Sequence, residues 1–329
     1  MSWSLYTWTF RLRSPLHIGF HKTMHLFRTR PYAPGKLIWG ALTAKLTPLF
    51  PLSDYLKTGQ ALGEVFRFSN LYLCAGGDTL YLPCYIERKG LQFGLVDKPL
   101  TRRDFEKDFY SSMASAAVKP DTFTAEEGLL HQVEFINPYL ISSRTDADNF
   151  TPVYLRGLFW IKKSAGTAVF QVIEKDGDIV LFQNDTNSEV NFTELVKRLQ
   201  IGGERKYGFG LLELQGIPEQ ILGSDGSEAI RLPGFPGRWY PDKEVVRIGL
   251  GQGEHLWGHV LSPEKVPCRG FLEPLVGRNW DIVKGAGQNI KSEGLAWAPG
   301  SLLQEARTFE VTPYGTWFAD GGTSLKETT

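Results

Sequence analysis

The densest chemistry in the chain is Gly202-Gly203-Glu204-Arg205-Lys206-Tyr207-Gly208-Phe209-Gly210. Four glycines in nine residues permit positive φ and let backbone N–H groups approach an anion closely. Arg205 and Lys206 supply positive charge, while Tyr207 and Phe209 supply flat faces on which nucleic-acid bases stack. Amides, cations and rings together are what a single-stranded phosphate backbone requires. Gly203 and Gly208 have the spacing of a nucleotide-hydrolase loop, but Phe209-Gly210 stands where that loop needs Lys followed by Ser or Thr. The G-x-G-x-x-G spacing of dinucleotide sites is missing as well. The competing account is a wide turn whose charges simply face water.

A second candidate is the basic stretch from Arg11 to Lys36. Arg11, Arg13, Lys22, Arg28, Arg30 and Lys36 are interleaved with Phe20, Phe27 and Tyr32, the mixture a groove for single strands uses. Gly35 opens a helix whose first amides would add to that groove. His17, His21 and His25 fall in the same stretch, four residues apart. On a helix they would share a face and suggest zinc, but Pro15 and Gly19 argue against a helix, and no Cys or carboxylate is near. No metal and no cofactor is expected. One of these histidines could instead serve as a general base toward an RNA 2′-hydroxyl, which needs an imidazole and cationic stabilisation. His255 and His259 lack the order of a zinc protease and are expected to be packed or exposed. No G-x-S-x-G elbow occurs, and Asp146 and Asp148 sit in loop-like context, solvated.

The whole chain of 329 residues has zero net charge, but the charge is unevenly placed. The first acid is Asp54, preceded by seven Lys or Arg; the remainder carries 36 acids against 29 bases. An acid-free segment of this length predicts an electrostatically polarised surface suited to a polyanion. At 42% hydrophobic and 22% charged residues the composition is globular and excludes a wholly disordered chain. No apolar run reaches the ~18 residues of a membrane span, and Met1–Phe10 lacks the pattern of a secretory leader. Three cysteines, an odd number without close pairing, fit a reducing, cytoplasmic setting.

These candidates need elements to hold them. Tyr6, Trp8, Phe10 and Leu12 alternate with Thr7, Thr9, Arg11 and Arg13, which predicts a half-buried strand closed by Ser14-Pro15. Residues 16–33 read as a basic loop or short hairpin. After Pro34-Gly35, Ile38, Leu42, Leu46 and Leu49 recur at helical spacing until Pro48 stops them. Short strands are expected near 79–86, 91–96, 157–161 and 168–173. Residues 97–127, charged and rich in small residues, read as part of an insertion around 97–150. A short helix capped by Thr193, with Leu195, Val196 and Leu199 inward, leads into the glycine-rich loop and a strand at 211–214. Gly and Pro dominate 216–243, so a linker is expected there. Further strands are expected at 245–250, 256–261 and 308–312. The organisation predicted is α+β, with an amino-terminal unit over 1–216 and a smaller unit over 217–329.

Three stretches together resemble the RAMP superfamily of CRISPR-associated proteins. They are Ser14-Pro15-Leu16-His17-Ile18-Gly19 with Arg30-Pro31-Tyr32-Ala33-Pro34-Gly35-Lys36-Leu37-Ile38, the loop Gly202–Gly210, and Asn279-Trp280-Asp281 with Ala298-Pro299-Gly300-Ser301. The last is similar to the branch that grips the 5′ handle of the crRNA in type III effector complexes. The resemblance implies two RRM-like, ferredoxin-like domains, with the glycine-rich loop and basic segment lining the RNA path. It implies crRNA, the large subunit and the backbone subunit as partners, with no membrane and no small-molecule substrate. Target-cutting subunits of the superfamily use an aspartate before the Pro-Gly helix, and residues 14–33 contain no carboxylate, so a non-catalytic role is expected. Lys36-Leu37 stands where the superfamily favours two small residues. The resemblance also allows two alternatives: a metal-independent endoribonuclease of another branch, using His17, His21 or His25 as base, and a scaffold that contacts protein only.

Overall fold

A computed structural model describes residues 2–51, 53–76, 79–115, 121–122, 131–142, 150–175, 177–183, 186–222, 229–281 and 283–319. Asp146 and Asp148, much of the expected insertion and the tail after 319 lie outside these residues.

The alternating segment is a strand, Trp3–Leu12, at the centre of the first sheet. Its neighbours are Leu211–Leu214 on one side and Val153–Lys162 on the other, followed by Leu71–Ala75 and the short Tyr32–Ala33. The four long strands therefore lie in the order fourth, first, third, second along the chain, paired antiparallel. Tyr6, Trp8, Phe10 and Leu12 point to one face and are buried there with Ile38, Leu42 and Leu46 of the helix Gly35–Leu46. Leu49 falls beyond that helix in a tight turn and is exposed. The helix Tyr55–Val65, capped by the Asp54 carboxylate accepting Lys57 N–H at 2.8 Å, completes this layer with Leu62 and Val65. The short helix Phe192–Val196 also packs here. Its cap is Asn191 rather than Thr193, whose hydroxyl is drawn to Asp178 instead. Leu195, Val196 and Leu199 are inward as expected.

The stretch read as an insertion contributes to the core. Arg102–Phe109 is a helix capped by Thr101, and Phe105 and Phe109 are fully buried, Phe105 stacking on Phe93 at 4.0 Å. The strand His131–Ile136 then runs beside Leu26–Thr29, so the basic segment is one edge of a small sheet.

The far face of the first sheet is covered too. Trp3, Leu5, Leu158 and Trp160 share one buried cluster with Trp239, Ile248, Phe309 and Trp317 from the second half. Those later residues belong to an eight-stranded sheet running from Ile230–Arg231 through Arg247–Leu250 and His259–Leu261 to the hairpin Leu272–Asp281/Gly285–Trp297. Among the described residues of 217–319 the helical structure is a single 3₁₀ turn, Pro263–Lys265. The second unit thus departs from the helix-covered RRM-like arrangement expected of it. The boundary at 216 is crossed as well, since Glu219–Ile221 pairs with the first strand.

Asn279-Trp280-Asp281 ends one strand of that long hairpin. Trp280 stacks on Tyr55 with ring centres 4.5 Å apart, and the Asp281 carboxylate accepts the N–H groups of Val283 and Lys284, shaping the turn. Ala298-Pro299-Gly300-Ser301 forms a joint: Gly300 donates to Leu256 O and accepts from Tyr85 N–H, and Ser301 is buried.

Candidate nucleic-acid interface

Residues 13–17 and 202–211 are joined directly. Gly203 N–H donates to His17 O at 2.8 Å, Gly210 N–H to Pro15 O at 2.7 Å, and Arg13 N–H to Leu211 O at 2.8 Å. Leu211 N–H in turn donates to the Ser14 hydroxyl at 2.9 Å. Ser14-Pro15 ends the first strand, and the chain then runs alongside the loop. Arg13, at the end of the first strand, thus lies against the glycine-rich turn.

This junction gives the glycines a different purpose from the one expected. At Gly202 and Gly210, with φ of +82° and +80°, a Cβ would overlap the carbonyl oxygens of His17 and Ile201. They are glycines so that two backbones can touch. Gly208, φ +83°, faces open space. Amides at 203, 207, 208, 209 and 210 are already bonded to protein carbonyls, with 207–209 closing a 3₁₀ turn over Arg205–Tyr207. The Gln200 side chain ties the turn down further through the carbonyls of Arg205 and Phe209. What the loop presents outward is side chains: Arg205 and Lys206 are exposed, and Tyr207 is 75% exposed. Phe209 is not a stacking platform; it is buried, edge-on to Phe135 at 5.4 Å.

The basic segment is less free than its composition implies. Arg13 pairs with Glu213 at 2.6 Å, Arg28 with Glu106 and Glu134 at 3.1 Å each, Arg30 with Glu273 at 2.7 Å and Lys36 with Glu293 at 3.3 Å. Every one of those acids lies beyond residue 100 in the chain. Gly35 N–H is bonded to the Asn70 side chain, and a Cβ at 35 would lie 2.6 Å from Phe68 O, so this helix start is buried against protein. Among the described residues, the expected RNA contacts without a carboxylate partner are Arg11, Lys22, Arg205 and Lys206. Lys22 lies over the Phe27 ring at 4.9 Å. Arg11 donates to the Tyr139 hydroxyl at 3.3 Å and faces Tyr154 on the neighbouring strand. Arg156, two residues along that strand, donates to Thr9 Oγ1 at 3.1 Å. Tyr139, Tyr154 and Arg156 escaped sequence reasoning because only tertiary pairing brings them to the first strand.

The three histidines share no helical face. Gly19–Thr23 and Leu26–Thr29 form a hairpin whose turn residue Met24 has positive φ. His17 is buried, its Nδ1 donating to Glu134 O at 2.6 Å, so it is not placed as a general base for a substrate. His21, edge-on to Phe20, and His25 are exposed near the hairpin end. No group of three or more metal-ligating side chains occurs among the described residues.

Arg30 belongs to a buried network that joins the two sheets. It donates to both oxygens of Glu273 at 2.7 and 3.0 Å and to the Tyr32 hydroxyl at 3.2 Å. His259 Nε2 hydrogen-bonds to Glu273 and lies 3.0 Å from the Tyr32 hydroxyl. Burial opposes charge on Glu273, but His259 and the Arg30 guanidinium overcome it and hold the carboxyl down to about 2. Burial pushes the His259 imidazole below its ordinary range and the Tyr32 hydroxyl above its own. This is an interior clamp, not an RNA contact.

No known family pattern and no curated protein matches the sequence. By structure, the chain is similar to a chain of the type III-B Cmr-beta complex bound to cognate target RNA and AMPPnP. That likeness has a TM-score of 0.50 at 13% identity and covers 91% of this chain and 85% of the other. Chains of the same kind of complex bound to cognate target RNA, and in its apo state, match at TM-scores of 0.38 and 0.37 with 12% and 10% identity, each over 64% of this chain and 96% of the other. The first likeness establishes a shared overall fold.

Proposed function

We propose that this chain is a non-catalytic crRNA-binding subunit of a type III CRISPR effector complex that grips the 5′ handle of the guide and caps the assembly. The observation that carries the proposal is the junction of residues 13–17 with 202–211, which sets exposed Arg205, Lys206 and Tyr207 beside the end of the first strand that carries Arg11 and Arg13. The fold shared with a chain of a type III-B complex supports the setting. The strand order fourth, first, third, second, with helices on one face, supports a ferredoxin-like reading of the amino-terminal unit. In this reading RNA runs along the edge of that unit, because its sheet face is occupied by the second half. Arg205 and Lys206 neutralise phosphates, Tyr207 stacks a handle base, and Lys22 and Arg11 extend the track. The large subunit and the first backbone subunit, in the cytoplasm, complete the assembly.

The test is retention of handle RNA at moderate salt. Arg205→Glu combined with Lys206→Glu should weaken it at least tenfold. The log–log salt slope should become shallower by ~0.7 for each phosphate that the variant no longer neutralises. Unchanged retention and slope would remove the loop from the RNA path.

A further inference from the structure

Two exposed arginines stand face to face at the margin of the second sheet. Arg231 and Arg238 are directly opposed on the antiparallel pair Ile230–Arg231/Arg238–Tyr240. Like charges in that position oppose folding, and among the described residues neither arginine forms an ion pair. Both line a cleft of about 730 Å³ with Tyr240, Gly249, Glu254 and Arg307. That volume lies within the ~300–1,000 Å³ typical of small-ligand sites.

Two features shape the cleft for more than a bare anion. Arg238 and Tyr240 are two apart on one strand and so share its face. The Tyr240 ring, 41% exposed, occupies space that a side chain at 249 would need, since a Cβ there would lie 2.6 Å from its Cε2. The one carboxylate in the lining is engaged by backbone: Glu254 accepts Gly237 N–H at 3.2 Å and Gly251 N–H at 2.6 Å. Arg307 is paired with Glu305, so Arg231 and Arg238 face the single carboxylate of Glu254 and the lining keeps a net positive charge.

We infer that this cleft binds a nucleoside 5′-monophosphate unit, its phosphate between Arg231 and Arg238 and its base against Tyr240. The phosphate relieves the repulsion of the opposed guanidiniums, and the exposed ring supplies a stacking face. Such a unit is available as a free nucleotide or as the 5′ end of an RNA. The site shares no residue with the loop at 202–210.

The test uses the full chain, calorimetry and thermal melting, with AMP, adenosine, inorganic phosphate, and ribo-oligonucleotides bearing a 5′-phosphate or a 5′-hydroxyl. AMP should bind and raise the melting midpoint, with adenosine and inorganic phosphate at least tenfold weaker. Arg231→Gln with Arg238→Gln should reduce AMP affinity at least tenfold, and Tyr240→Leu should erase the preference for AMP over inorganic phosphate. Arg238→Glu places a carboxylate opposite Arg231, so it should abolish binding while raising the ligand-free melting midpoint. That combination keeps the test sound should the double variant fold poorly. Tighter binding of the 5′-phosphorylated oligonucleotide than of AMP assigns the site to an RNA end; AMP binding with no advantage for that oligonucleotide assigns it to a free nucleotide. Arg205→Glu with Lys206→Glu should leave AMP binding unchanged, which separates this site from the handle grip. Absence of AMP binding, equal binding of adenosine, or AMP affinity untouched by the double glutamine variant would overturn the inference.

Discussion

Arg30 and Glu273 are 243 positions apart in the chain and 2.7 Å apart in space. Their pairing explains why a count of charges along the sequence overstated the free cations near the amino terminus. The acids that neutralise Arg13, Arg28, Arg30 and Lys36 arrive from later strands and helices, and nothing local announces them. The same pairing sets two expectations. Glu273→Gln leaves the Arg30 guanidinium buried beside a neutral amide and should destabilise the protein by ~3–5 kcal/mol in urea unfolding. Because the Glu273 carboxyl is depressed from an ordinary 4.5 to about 2, its contribution is complete above that ordinary value and is lost as pH falls toward 2. Burial of neutral His259 acts in the same direction, opposing the proton that the unfolded chain accepts below its ordinary 6.5. Unfolding free energies at pH 7, 5 and 3 should therefore decrease in that order in the native protein, and the fall from pH 5 to 3 should shrink in Glu273→Gln.

Elements were legible where a strong period met a clear stop. Alternation from Tyr6 to Leu12 marks the central strand, and Pro34-Gly35 with Ile38, Leu42 and Leu46 marks the helix, since each pattern reflects burial on one face alone. The long hairpin Leu272–Asp281/Gly285–Trp297 escaped notice. Its outer face is itself apolar, with Val276 and Ile290 exposed, and the usual polar alternation is blurred. In the glycine-rich loop the pattern was visible and its cause was not: composition cannot distinguish a glycine that admits a phosphate from one that admits a neighbouring carbonyl. The geometry separates them. Gly210→Ala should lower the melting midpoint strongly, since the new methyl overlaps Ile201 O. Gly208→Ala, at a similar φ but in open space, should cost only the ~1–2 kcal/mol of a left-handed alanine. Thermal melts of the two variants check this, and similar losses would mean that the close approach of Gly210 to Ile201 O is not what demands a glycine there.

The molecule as a whole is built around a sheet buried on both sides, and that arrangement could not be anticipated from residues 217–329, whose strands announce a sheet without saying what it covers. Trp3, Leu5, Leu158 and Trp160 depend on the second half for their burial. Residues 1–216 expressed alone should expose that face, bind a hydrophobic dye and aggregate, and the full chain should unfold in one transition by fluorescence and circular dichroism alike. A soluble, cooperatively folded fragment would show that the shared cluster is dispensable. The position of Trp3–Leu12 carries a consequence for synthesis in the cell. Its flanking partners begin only at residues 153 and 211, and the lid over its far face continues to Trp317. At ~5–20 residues per second, the nascent strand waits roughly a quarter of a minute to a minute on the ribosome before the cover over Trp3 is complete. Escorts that shield greasy segments during translation should therefore govern the yield of this protein more than any property of its finished state.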